Sequence, residues 1–354
     1  MVNAARARVA GVPGRAYVPA MAMKALTKAT IYEVAQLAGV SIATVSRALR
    51  DSDLVTQQTR ERVLAAAREL QFTPSRPARS LAEGRHAANG IVFPELVGPY
   101  YAEVVLGYEA AAAGFGSSVL ILATNGRHDA EAAVREMASR VDGLTVMGQS
   151  IDDHVVEKLA ATGLPIVLLA RDPLPGVDAV RPQNRQTARA LVEHLLGHGH
   201  RRFVFLGDPA GSPDVAGRWA GVQAGLAGSG AGPAHLVPLQ GFDLDAGQRA
   251  ARGLTAGAQA VICANDEIAL GVLLATADRD DLAVTGWDDL LAARFAGLTT
   301  VRQPMRELGA TAARWLNRRI AEGPGNPAAP RRRILPTQLV VRASCGTHSP
   351  EVHR

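Results

Sequence analysis

The residues best suited to do chemistry lie early in the chain. Between Ile31 and Leu49 the sequence reads IYEVAQLAGVSIATVSRAL. Within the second half of that stretch, Arg47 is the side chain whose guanidinium fork matches the two acceptors on the major-groove edge of guanine. Ile42 and Ala43 offer only apolar contact, chiefly to thymine methyls. Ser41, Thr44, Ser46 and Tyr32 carry hydroxyls suited to phosphates, which position a protein on a duplex without specifying sequence. Nothing comparable points to catalysis. No nucleophile–base–orienter set stands in a motif context, and no phosphate-binding P-loop is present. The stretch GDPAGSPD lacks the glycine spacing of a dinucleotide fingerprint. His194, His198 and His200 have the look of metal ligands. In HLLGHGH they read instead as a helix end, a glycine turn and a strand start, where imidazoles complement the helix dipole. No metal, no cofactor and no enzymatic activity is therefore expected.

The elements that would position these side chains follow from the same stretch. Ile31, Val34, Ala35 and Ala38 share one helical face, and Gly39 supplies the positive φ of a tight turn. Ser41 is a good N-cap for a second helix, whose buried face is Val45, Ala48 and Leu49. Alanines at 35 and 38 let the two helices cross closely. This is the specification of a helix-turn-helix, with residues 42–47 directed at a major groove. A third helix is expected from Thr56 as N-cap, with Val63, Leu64, Ala67 and Leu70 on one face.

Charge agrees with a polyanion partner for this segment alone. Residues 1–86 hold 13 Lys/Arg against 6 Asp/Glu, whereas the remainder is slightly acidic, within a chain of net charge +5. The 354 residues are 47% apolar and 20% charged, enough for roughly two domains with sizeable cores. Two cysteines, Cys263 and Cys345, exclude a disulfide framework and suit a reducing, cytoplasmic setting. No run reaches the ~18 apolar residues of a membrane span, and prolines and glycines break the N-terminal arginine-rich stretch, so residues 1–29 read as a disordered leader rather than a signal peptide.

From residue 90 onward, short apolar runs alternate with stretches of helical periodicity. The runs include Gly90–Pro94, Ser118–Ala123, Leu144–Met147, Ile166–Leu169, Phe203–Leu206, Val237–Leu239, Ala260–Ala264 and Ala283–Gly286. Such alternation implies parallel sheets covered by helices, and this length favours two doubly wound lobes with a ligand cleft between them. Residues 73–86, with their prolines and arginines, suit a linker containing a short helix begun by Pro77.

The sequence resembles the lactose-repressor (LacI/GalR) family of bacterial transcription regulators. The stretches that carry the likeness include TIYEVAQLAGVSIATVSRAL, VTQQTRERVLAAARELQFTPSRPARSLAEGR, HLLGHGHRRFVFLGD, ANDEIALG and LPTQLVVRAS, in the family's order over about residues 30–344. The resemblance implies an all-α helix-turn-helix head at 30–75 and a hinge helix at 76–86. It further implies a periplasmic-binding-protein-like α/β core of two doubly wound parallel-sheet lobes at 87–345, followed by a tail at 346–354. The first lobe would hold about 87–183 plus 304–325, and the second about 184–303 plus 331–345. The partners it implies are a double-stranded DNA operator, a second copy of the chain, a small-molecule effector and no membrane. Leu81 matches the leucine that wedges into a minor-groove base step, and Arg79 would lie against phosphates. Arg50 stands where the recognition helix of relatives usually closes on Asn. Tyr100, Arg171, Arg218, Phe242 and Asp266 match effector-pocket positions, a set of charged groups and an aromatic wall suited to a sugar. Ala170 departs from the family, where Asp or Asn usually precedes the arginine. The expectation is a sugar-released dimeric repressor of carbohydrate genes. The alternatives are a purine-like corepressor, for which Tyr100 and Tyr101 would stack on a base, and a solute-binding protein of the same core.

Overall fold

The computed structural model describes residues 29–49, 52–72, 85–255, 257–323 and 329–346. The expected leader through residue 28, Arg50, most of the expected hinge including Arg79 and Leu81, and the tail from residue 347 lie outside the described residues. The described residues fall into two compact units, one within 1–79 and one within 80–354.

The described residues of the first unit form three helices: α1 (Ile31–Ala38), α2 (Ile42–Leu49) and α3 (Gln57–Glu69). Thr30 opens α1 with a reciprocal cap. Its hydroxyl accepts from the Glu33 amide at 3.4 Å, while its own amide donates to the Glu33 carboxylate at 2.6 Å. Gly39, at φ 64°, ends the helix in the left-handed conformation expected of it. Val34, Ala35, Ala38, Val45, Ala48, Val55, Val63, Ala66 and Ala67 form the core, so the small residues do the close packing. Leu64 departs from expectation. It is 39% exposed, and Ala66 takes the inward position beside Val63 and Ala67.

The second unit contains two parallel sheets. The larger runs in the order β11-β5-β4-β3-β1-β2. Its strands are β1 (Ala88–Phe93), β2 (Ser118–Ala123), β3 (Gly143–Met147), β4 (Ile166–Leu169), β5 (Asp178–Pro182) and β11 (Arg332–Leu335). The smaller, in the order β7-β6-β8-β9, holds β6 (Phe203–Leu206), β7 (His235–Val237), β8 (Ala260–Cys263) and β9 (Ala283–Thr285). An antiparallel pair, β10 (Thr300–Arg302) with β12 (Gln338–Val340), joins the second lobe. Every residue of β1, β3, β4, β6 and β8 is buried, as parallel strands covered on both faces require. The apolar runs therefore mark real strands, with β7 two residues earlier than its run suggested.

Among the described residues, the helices of this unit are α4 (Pro99–Ala113), α5 (Ala130–Ala138), α6 (Asp153–Ala161), α7 (Arg185–Gly197), α8 (Pro213–Leu226), α9 (Leu244–Ala251), α10 (Asp266–Ala275), α11 (Leu291–Phe295) and α12 (Met305–Glu322). Helix α12 returns to the first lobe, burying Leu308, Ala312, Ala313 and Leu316 with β1 and β4 side chains. It crosses α4 at Gly107 and Gly309, where an added methyl would overlap the Arg306 and Val104 carbonyls, so only glycine permits that approach. One boundary is corrected. Residues 331–335 were expected in the second lobe, but β11 pairs in parallel with β5 in the first sheet, and the chain crosses over only between Leu335 and Gln338. The chain thus passes between lobes three times, after β5, after β10 and after β11.

Candidate functional site

In the helical unit, the turn from Gly39 to Ser41 sets the face of α2. The Ser41 hydroxyl accepts from the Thr44 amide at 3.1 Å and pairs with the Thr44 hydroxyl at 2.9 Å, so its first role is capping. Burial of Val45 and Ala48 turns Ile42, Ala43 and Arg47 to solvent, with Thr44 and Ser46 half-buried beside them. Ile42 is 40% exposed and Tyr32, on α1, 69% exposed. A two-turn helix that presents a guanidinium and two apolar contacts, flanked by hydroxyls, has the chemistry of a major-groove reader.

In the α/β unit, a cavity of about 490 Å³ opens where the C-terminal ends of the strands of both sheets meet. This is where doubly wound sheets bind ligands. Pro94, Thr124, Gly148 and Ala170 follow β1 to β4 on one side, and Gly211, Gly241, Asn265 and Asp288 follow β6 to β9 on the other. Tyr100, Arg218 and Phe242 line it as expected. Arg218 is buried and held on several sides. Its Nε donates to Asn184 at 3.0 Å, its Nη1 to the Ala264 carbonyl at 2.5 Å, and its guanidinium lies 4.6 Å over the Trp287 ring.

Two expected pocket residues stand outside the cavity. Arg171 is buried behind it, bonded to Asp153 and donating to the Gly148 carbonyl at 2.8 Å. The reason lies one residue earlier, where Ala170 takes a left-handed conformation at φ 50° as the chain leaves β4. Arg171 thus braces the Gly148 loop rather than facing a ligand. Asp266 is fully buried as the first residue of α10, accepting from the Leu290 amide at 2.8 Å and the Thr300 hydroxyl at 2.5 Å. Its neighbours Asn265 and Glu267 line the cavity instead, and Asn265 is the helix cap.

Burial governs the protonation of the cavity wall. It pushes the Asp288 carboxyl well upward against the pull of Arg218, and raises Asp214 against Arg218 and Asn184. Burial, with Asp214 and Asp288 nearby, also lifts the Tyr100 phenol. Among the described residues, three buried oxygens at this cavity have no hydrogen-bond partner: Tyr100 Oη, Ser150 Oγ and Gln303 Oε1. Buried polar atoms are ordinarily satisfied, so these mark a place for a polar guest.

Two families match the chain. Residues 30–75 match the Bacterial regulatory proteins, lacI family, and residues 192–345 match a Periplasmic binding protein-like domain. The HTH-type transcriptional regulator DegA of Bacillus subtilis (strain 168) is 30% identical over 336 residues, covering 90% of this chain and 98% of that protein. This chain belongs to the LacI family. Among solved structures, the lac repressor dimer bound to operator and the anti-inducer ONPF superposes on this regulator with a TM-score of 0.79 at 27% identity, covering 90% of this chain and 100% of that one. The transcriptional regulator CelR–cellobiose complex gives 0.65 at 29%, with 90% and 100% covered. The fold is that of the family, a helix-turn-helix head and a periplasmic-binding-protein-like core, and the relatives are DNA-binding regulators rather than enzymes.

Residue reading missed several cavity groups of this LacI-family protein. Ser150 and Gln303 each sit just beyond an apolar strand run, LTVMG and LTTVR, where the topology places ligand contacts. Asp214 stands one helical turn before Arg218 on α8, with 3.9 Å between their charged atoms, a spacing visible in the sequence. Trp287 lies in the core of the second lobe, with Arg218 over its ring.

Proposed function

We propose that this regulator is a dimeric repressor that holds a near-palindromic operator and leaves it when a neutral sugar-type ligand enters the cavity. The observation that carries the ligand class is the set of orphaned buried oxygens, Tyr100 Oη, Ser150 Oγ and Gln303 Oε1, on residues that line a cavity also presenting Arg218 and the Phe242 ring. Hydroxyls satisfy such a set, and a ring packs on the CH face of a sugar. Charge narrows the class. Glu95, Asp214, Glu267 and Asp288 line the cavity against one arginine, already committed to protein partners. A phosphorylated or carboxylated ligand would find no uncommitted cation among these lining residues. Cellobiose is the ligand named for the CelR complex, and an operator is bound in the lac repressor structure.

In this reading Tyr32, Ser41, Thr44, Ser46 and Arg79 meet phosphates, Ile42, Ala43, Arg47 and Arg50 meet base edges, and Leu81 wedges into the minor groove. Pairing of two chains is supported by the edge strand β2. Its sequence SVLILA is almost wholly apolar, yet none of its residues is buried, and Ile121 there and Leu106 and Phe115 nearby in the chain stand exposed. The test is a thermal-shift series on the full chain with neutral sugars, sugar phosphates and nucleobases. A ligand at a hundred times its Kd adds about 2.7 kcal/mol of stability. A neutral sugar is expected to raise the melting temperature and to release operator DNA. A nucleobase that raises it and tightens DNA binding would overturn the proposal in favour of corepression.

A further inference from the structure

A separate group of ligating side chains forms where the C-terminal turn meets the end of α7. His194 lies in the last turn of that helix and His198 is its C-cap, so the two occupy one face, with ring centroids 4.7 Å apart. The 3₁₀ turn Ala343–Cys345 brings in the third group from 151 residues away, placing Cys345 Sγ 3.3 Å from His194 Nε2. The ligand atoms of His194, His198 and Cys345 all lie within 4.8 Å of one another. A helix-dipole role explains histidines at a helix end, as the sequence suggests. It does not explain a buried cysteine arriving among them.

We propose that His194, His198 and Cys345 bind a divalent transition metal of the zinc class, leaving a fourth position for water or an added ligand. Two imidazoles and a thiolate form a donor set that selects zinc, cobalt or nickel over magnesium or calcium, which take oxygen ligands. With Zn–N bonds of ~2.0–2.1 Å and Zn–S of ~2.3 Å, tetrahedral ligand atoms stand about 3.3–3.6 Å apart. The His194–Cys345 pair already fits, and a contraction of about 1.2–1.5 Å closes the rest, within reach of a half-buried imidazole at a helix end. The surroundings brace the sulfur. The Thr299 hydroxyl, 2.9 Å from both Cys345 Sγ and the Arg342 carbonyl, can turn its hydrogen to the sulfur and favour the thiolate a metal requires, against the burial that raises the thiol. His200 Nε2 lies 3.2 Å from the Cys345 carbonyl and fixes the turn. The thiol hydrogen, now directed at the Arg342 carbonyl 3.3 Å away, leaves as the metal binds. Bound metal would pin the last described turn of the chain to α7 and stabilise the second lobe.

The experiment is cobalt(II) titration of the metal-stripped full chain. One equivalent is expected to give a sulfur-to-cobalt charge-transfer band with visible absorption of tetrahedral intensity, both bleached by zinc(II). Cys345→Ser should abolish the sulfur band, and His194→Gln and His198→Gln should each weaken binding at least about tenfold. Cys263→Ser, which removes the other buried cysteine, should leave the band intact. Absence of the band in the full chain with cobalt in excess overturns the proposal, as does its survival in Cys345→Ser. Should Cys345→Ser fail to fold by circular dichroism, the half-buried His198→Gln decides, and an unchanged cobalt affinity there refutes the site.

Discussion

At the scale of single residues, two side chains separate specificity from stability. Arg47 is exposed on α2, and its neighbours on the same face, Ile42 and Ala43, have no hydrogen-bonding groups. Arg47→Ala is therefore expected to cost about 1–3 kcal/mol of operator affinity and to relax base preference at one position per half-site. Binding-site selection with the two proteins checks this, and a uniform loss across sequences would assign Arg47 to phosphate instead. Asp266 acts in the core. Burial raises its pKa from 3.8 to about 7, although the Thr300 hydroxyl and the Leu290 amide pull downward. A carboxyl whose folded pKa lies above its unfolded one binds its proton more tightly when folded, so stability falls as pH rises from about 4 to about 7. Asp266→Asn should flatten that decline by one proton's worth, measured as melting temperature against pH. A slope unchanged between the two proteins would show that Asp266 ionises freely.

At the scale of elements, ion pairs and left-handed turns decide how the strands are tied together, and here the sequence was partly legible. The helix-turn-helix could be read because caps and turn are local: Thr30 with Glu33, Gly39 and Ser41 each act within four residues. The parallel strands could be read because burial on both faces leaves continuous apolar runs. The strands β5 and β11 could not, because DAVRP and RRIL carry charges whose partners are distant. Asp178 is buried on β5 and receives Arg319 from α12 at 2.7 Å and the Arg331 amide, just before β11, at 2.6 Å. No local pattern announces such a tie. Asp178→Ala should destabilise the core by about 1–3 kcal/mol, since the Arg331 amide and two guanidiniums lose a buried acceptor while Arg319 and Arg331 keep Glu322 as counter-charge. Denaturant unfolding of the full chain measures it, and a loss below about 1 kcal/mol would reduce the tie to a surface pair. Arg171 failed as a pocket residue for a related reason. Its direction depends on the φ of 50° at Ala170, which nothing in an alanine signals. That conformation suits Asn or Gly better, so Ala170→Gly should raise stability by about 0.5–1 kcal/mol, read as a shift in denaturant midpoint at constant slope.

At the scale of the whole molecule, the cavity and the DNA-reading helix lie in different compact units, and a ligand can influence one from the other only through a difference in free energy between states. The cavity is built for such a difference. The first lobe supplies Tyr100 and Ser150, the second Arg218 and Phe242, and Gln303 sits at one of the three crossings between lobes, with its Nε2 donating to Asp288 at 2.5 Å and its Oε1 unpaired. Under the proposed function, a polyol that satisfies Tyr100, Ser150 and Gln303 together is expected to bind one lobe arrangement better than another. Linkage then fixes a quantitative expectation. If the sugar lowers operator affinity by some factor, typically about 5–150-fold, operator DNA must lower sugar affinity by the same factor. Titrating sugar into the full chain with and without operator, and operator with and without sugar, gives both ratios independently. Equal ratios above one establish the coupling. Gln303→Leu, which removes the unpaired oxygen at the crossing, should weaken sugar binding and shrink both ratios together. Sugar binding that is tight yet indifferent to DNA would mean that the cavity recognises its ligand without governing the operator.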